Sequence, residues 1–120
     1  MWVLVGCHSV VPPEPPAPAP VEASAFAHYL RGVAAAELGD RDAVTRAARW
    51  MLLLDPGPWT GLHAAELLAA VGAPPTEAVD RVVGTVDSLP PCAAVAVLDA
   101  LAAVAPDPRV APLRAVRWCP

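Results

Sequence analysis

Apolar residues along most of this chain recur every three or four positions, and Gly and Pro break the pattern at regular places. This is the period of helices that bury one face, not the alternation of half-buried strands. The spacing predicts a first helix over about residues 21–38, in which Phe26, Tyr29, Leu30 and Val33 recur and Ala fills between. Gly39 stops it, and Asp40 has the chemistry to cap the next helix. That second helix covers about 41–54, with Val44, Ala47, Ala48, Met51 and Leu54 as the buried stripe, and Asp55-Pro56-Gly57-Pro58 ends it. A third, over about 59–71, carries Leu62, Leu67, Leu68 and Val71 and stops at Gly72.

Pro74-Pro75-Thr76 opens a fourth helix, with Val79, Val82, Val83 and Val86 inward and Asp80, Arg81 and Asp87 facing away. The Val content lowers helix propensity, but alternation over 82–86 is too poor for a strand. A fifth helix over about 92–105 turns Val95, Leu98, Leu101 and Ala102 inward. A short last helix, 109–118, follows Pro106 and Pro108. The fold class is all-α.

The punctuation is periodic. Gly39 to Gly72 is 33 residues and Pro56 to Pro90 is 34. A period near 34 built from helix pairs is the signature of a helical repeat array, in which neighbours must stack because no pair buries its stripe alone. The run Gly39-Asp40-Arg41-Asp42-Ala43-Val44-Thr45-Arg46-Ala47-Ala48-Arg49-Trp50-Met51-Leu52-Leu53-Leu54-Asp55-Pro56 resembles the second half of a tetratricopeptide repeat. Gly32 sits at the small residue of that repeat's first helix.

The likeness covers about 23–56 well and 57–90 weakly, since Gly72-Ala73-Pro74-Pro75 replaces the Gly-Asp turn. It covers 91–120 poorly. Val44 and Met51 are larger than the family's usual Ala. The resemblance implies an α-solenoid of about three units (23–56, 57–90, 91–120). It also implies a concave groove on the first helices of the units, lined by Phe26, Tyr29, Val33 and Ala36 and then by Thr60, His63, Leu67 and Ala70. His63 follows Tyr29 by one 34-residue period. The implied occupant is a protein or peptide. The groove carries few charges and lacks the basic cluster with which family members clamp a peptide's terminal carboxylate.

Residues 1–20 have a different character. Leu4-Val5-Gly6-Cys7 resembles the lipobox of bacterial lipoproteins, which implies lipidation of Cys7 and a place in the bacterial cell envelope. Only six residues, none basic, precede Cys7, which is shorter than a secretory signal. Without processing the expected location is cytoplasmic. Pro12, Pro13, Pro15, Pro16, Pro18 and Pro20 exclude helix and central strand. They predict a disordered, extended tether of roughly 28 Å ahead of the helical domain at 21–120.

Composition removes several classes of function. Of 120 residues 26 are Ala, which accounts for much of the 56% hydrophobic fraction without implying a membrane span. No stretch approaches the roughly 20 apolar residues that cross a bilayer, so membrane contact is expected only through a lipid on Cys7. All eight basic residues are Arg and the net charge is −4, which argues against nucleic acid. His8, His28 and His63 lack metal-ligand spacing, and His28 is expected to be partly buried. No phosphate loop or nucleophile elbow occurs, and Glu37 and Glu66 are expected to be solvated. No cofactor, metal or catalytic residue is therefore expected.

Trp50, Leu52 and Leu53 extend the apolar surface beyond one stripe, so the next unit or a partner covers them. Cys92 and Cys119 admit two readings: a disulfide if the domain is exported, or two small buried apolar residues. The expected function is a non-catalytic protein–protein interaction module, with a structural subunit of a larger envelope complex as the alternative and a small enzyme behind both.

Overall fold

A computed structural model describes Pro13 and residues 24–120. The lipobox-like tetrad and nearly all of the proline tract lie outside the described residues. Those described form an all-helical fold: α1 (Ala25–Glu37), α2 (Arg41–Leu54), α3 (Pro58–Ala70), α4 (Thr76–Thr85), a single 3-10 turn (Val86–Ser88), α5 (Pro91–Val104) and α6 (Val110–Ala115). No helix among them is long and apolar enough to cross a membrane.

The turns follow from local chemistry. Ser24 caps α1 by accepting the Ala27 N–H, and Asp40 caps α2 by accepting the Ala43 N–H at 3.1 Å. Pro58 and Pro91 open α3 and α5, where a missing N–H costs nothing. Gly39 and Gly72 have φ near +68° and +67°. Each ends its helix with the same pair of bonds. Gly39 N–H donates to Ala36 O and Asp40 N–H to Ala35 O, and Gly72 N–H donates to Ala69 O and Ala73 N–H to Leu68 O. These are two Schellman caps one period apart. The second forms although Ala73, not Asp, follows the glycine.

The core runs the length of the described chain, from Val44, Ala48 and Met51 through Leu62, Leu67, Leu68, Val79 and Val82 to Leu98, Leu101 and Val110. The central helix α3 packs against α1, α2, α4 and α5, so Leu62, Ala64, Ala65, Leu67 and Leu68 are buried on several sides at once. Two glycines let the helices close up. A Cβ at Gly32 would stand 2.6 Å from Leu67 Cδ1 and 3.3 Å from Ala47 Cβ. One at Gly61 would stand 2.9 Å from Val82 Cγ2 and 3.1 Å from the Ala78 carbonyl.

Several faces differ from the pattern-based expectation. In α1 the buried residues are Ala27, His28 and Gly32, while Phe26 is 66% and Leu30 51% exposed. Close approach selects for small size over hydrophobicity, so the large side chains are displaced to the outside. In α5, Val97 and Ala94 are buried with Leu98 and Leu101, and Ala102 is exposed.

Arg81 does not face away. Its guanidinium donates to Leu52 O at 2.7 Å and Asp55 O at 2.6 Å. It thus satisfies carbonyls at the C-terminal end of α2, where the helix dipole also favours a cation. α6 is shorter than the 109–118 expected. The chain leaves it at Val116, and Cys119 is bonded to Cys92 with Cα atoms 4.9 Å apart. Cys92 is exposed, so the pair is not two buried apolar residues.

Candidate functional site

A groove of about 230 Å³ opens between α1, α2 and α3, lined by Ala25, Phe26, Tyr29, Met51, Asp55, Thr60 and His63. α1 contributes the rim. Because Ala27 and Gly32 take the packing face, Phe26 and Tyr29, one turn apart, are left on the open side with their rings 6.4 Å apart. α3 contributes Thr60 and His63, also one turn apart. The Tyr29 and His63 rings meet across the helix boundary at 5.4 Å, tilted by 53°. The aromatic row is continuous from Phe26 through Tyr29 to His63, with Met51 buried to 2% exposure and lining the same groove.

Two polar side chains of the groove, those of His63 and Asp55, are engaged locally. The Nδ1–H of His63 donates to Glu66 Oε1 at 3.0 Å, an i,i+3 pair on the exposed side of α3. Asp55 Oδ1 accepts the Gly57 N–H at 2.8 Å, which fixes the turn into α3. No hydrogen bond joins Thr60 to His63 among the described residues. The imidazole is thus oriented by a carboxylate one turn further along α3. Among the described residues no group of three or more His, Cys, Asp or Glu is placed to hold a metal ion.

Of the eight positions implied as groove-lining, Phe26, Tyr29, Thr60 and His63 come together in this groove. Val33 and Ala36 lie further along α1, half-buried against the core, and Ala70 is exposed at the end of α3. Leu67 is a correction. It is 6% exposed and fills the space left by the missing Cβ of Gly32, so it packs α1 on α3 and does not line the groove.

Leu52 is likewise not surface. It is 8% exposed, and Arg81 from α4 reaches its carbonyl, so the following helix pair covers it. Trp50 and Leu53 do stand out, 50% and 75% exposed. Met51 and Asp55 are groove residues that sequence reasoning missed. Met51 was legible only as core stripe and Asp55 only as part of a turn.

His28 is buried and stacks on Trp50, ring centroids 5.5 Å apart and planes 12° from parallel. Cys7 lies outside the described residues.

None of the family models, curated proteins or solved structures compared with the chain matches it.

Proposed function

We propose that this chain is a non-catalytic protein-binding module of tetratricopeptide-like construction, whose groove along Phe26, Tyr29 and His63 receives an extended, largely apolar peptide segment. The observation that carries this reading is the Tyr29–His63 contact. Two rings 34 residues apart in sequence meet on one open face, as equivalent first-helix positions of successive stacked units do. The twin Schellman caps at Gly39 and Gly72 and the packing of α3 on both α1 and α5 support the same construction. Apolar and aromatic groove walls with few charges favour an apolar ligand.

The test is selection of displayed peptides on the immobilised full chain and on its Tyr29→Glu variant. Enrichment of apolar peptides by the parent and its loss in the variant is the expected result. No enrichment, or enrichment indifferent to the substitution, counts against the groove.

The alternative, a structural subunit of a larger assembly, draws on exposed Trp50 and Leu53. Crosslinking from these two positions, with Tyr29→Glu as control, distinguishes it. The Cys92–Cys119 bond favours an oxidising compartment, and with the lipobox-like tetrad it supports an exported module held by a lipid on Cys7. Mass spectrometry of the mature N-terminus from cells tests this. An acylated Cys7 supports it, and an intact Met1 removes it.

A further inference from the structure

Two polar groups lining the Phe26–Tyr29–His63 groove keep hydrogen-bonding capacity that the fold does not use. Asp55 is half-buried at the turn between α2 and α3 and is the one carboxylate of the lining. Its Oδ1 accepts the Gly57 N–H. Its Oδ2 accepts nothing from any described residue, and no described cation pairs with it. Arg81 reaches the Asp55 main-chain carbonyl and not the carboxylate.

Thr60 is the second group. It is 9% exposed, and its hydroxyl makes no hydrogen bond with a described residue. Among the described residues no sealed polar side-chain atom lacks a partner, so this hydroxyl opens into the groove that Thr60 lines. A largely buried hydroxyl without a protein partner is an exception that calls for one.

We propose that the groove holds a subsite for one positively charged side chain, Lys or Arg, carried by an otherwise apolar peptide, with Asp55 Oδ2 and Thr60 Oγ1 accepting its N–H groups. The inference rests on the peptide-groove reading above and adds the charge of the ligand. The walls agree with it. Aromatic faces attract cations, and the Phe26 and Tyr29 rings stand 6.4 Å apart along the groove. Met51 offers apolar surface to the methylenes of a long cationic side chain. No Arg is among the described lining residues, and the His63 imidazole is turned to Glu66. The start of α3 would by itself favour an anion, but the Asp55 carboxylate already stands there on the Gly57 N–H and repels a second negative charge.

The experiment is an NMR titration of the full chain labelled with 13C in its methionine ε-methyl groups. The chain has only Met1 and Met51, so the groove has its own signal. The probes are the blocked peptide acetyl-Ala-Leu-Ala-Lys-Ala-Leu-Ala-amide and its analogues with Gln or norleucine in place of Lys. All three should shift the Met51 methyl saturably, the Lys peptide binding about tenfold more tightly than the others. Asp55→Asn keeps an oxygen for the Gly57 N–H and removes the charge. It should abolish the preference while the norleucine peptide binds as before. Thr60→Val, which keeps the shape and loses the hydroxyl, should reduce the preference.

Equal affinity for the three peptides, or a preference that survives Asp55→Asn, overturns the subsite and leaves the groove standing. A Met51 signal that none of the three moves overturns the groove and the subsite together.

Discussion

The first helix hairpin and the last are held together by different means. α1 and α2 join by close approach. Gly32 admits Leu67 and Ala47, Val44, Ala47 and Ala48 pack inward, and no ion pair joins the two helices among the described residues. At the other end α6 has six residues, of which only Val110 is buried. Such a helix is too short to stand on propensity, and one valine is little burial to dock it. It is tied instead by the Cys92–Cys119 bond and by Arg109, Arg114 and Arg117 reaching Asp80, Asp99 and Asp87. The repeat pattern fades where these ties take over.

Removing the crosslink should break this contrast most severely. The bond closes a loop of 27 residues, and loop-closure entropy for that length amounts to about 3–4 kcal/mol. The double variant Cys92→Ser/Cys119→Ser should lose roughly that much in chemical denaturation. Amide exchange should rise first in α6 while α1 and α2 stay protected. The variant should then be indifferent to reductant, unlike the parent. Unchanged protection of α6 after reduction would show that the arginine ties suffice alone.

The close-packed half has its own test, smaller in size and opposite in kind. Gly61→Ala places a methyl against the stiff Val82 and the backbone oxygen of Ala78, neither of which yields easily, so a loss of about 1–3 kcal/mol is expected. Gly32→Ala meets the far end of the Leu67 side chain, which can turn aside. There the gain in helix propensity of about 1 kcal/mol should leave the net change close to zero. Thermal melts of the two variants side by side check the order. If Gly32→Ala proves the costlier, Leu67 is locked and the α1–α3 contact is the tighter of the two.

The same distinction explains what the sequence made legible. Turns are set by one or two residues, so Gly39, Gly72, Asp40, Pro58 and Pro91 announced the helix ends nearly to the residue. Stripes were legible where burial follows hydrophobicity, as in Val44, Ala48 and Met51. They misled where close approach demands small side chains, which is why Phe26 and Leu30 lie outside and Gly32 inside.

Tyr29 and His63 were expected on one face from their 34-residue spacing, and their rings do meet. Leu67 was misassigned because a position on the groove-facing stripe can still be swallowed by a missing Cβ across from it. The task of Arg81 depends on where α2 ends in space, and the Cys92–Cys119 pairing on a separation between Cα atoms. Neither is written in local pattern.

Acid offers the mildest probe of the charge-tied end. The Arg109 guanidinium, and after it the Arg109 backbone N–H, hold the Asp107 carboxyl below the ordinary aspartate range. Arg109 stays charged throughout, its own affinity for its proton raised by Asp107 and Asp80. The folded form therefore binds the Asp107 proton less readily than the unfolded chain does. The contribution of this pair is complete above the unfolded carboxyl's value, near 3.9, and is lost as pH falls through the lower folded one.

The group is solvent-facing, so the effect on global stability should be small, and the readout should be local. A carbon-detected titration of the Asp107 carboxyl in the full chain should give a midpoint below the ordinary value, and Arg109→Gln should return it upward. A midpoint that Arg109→Gln leaves in place would mean the α6 turn is held by its backbone alone. The charge ties of that end would then reduce to Arg114 with Asp99 and Arg117 with Asp87, beside the disulfide.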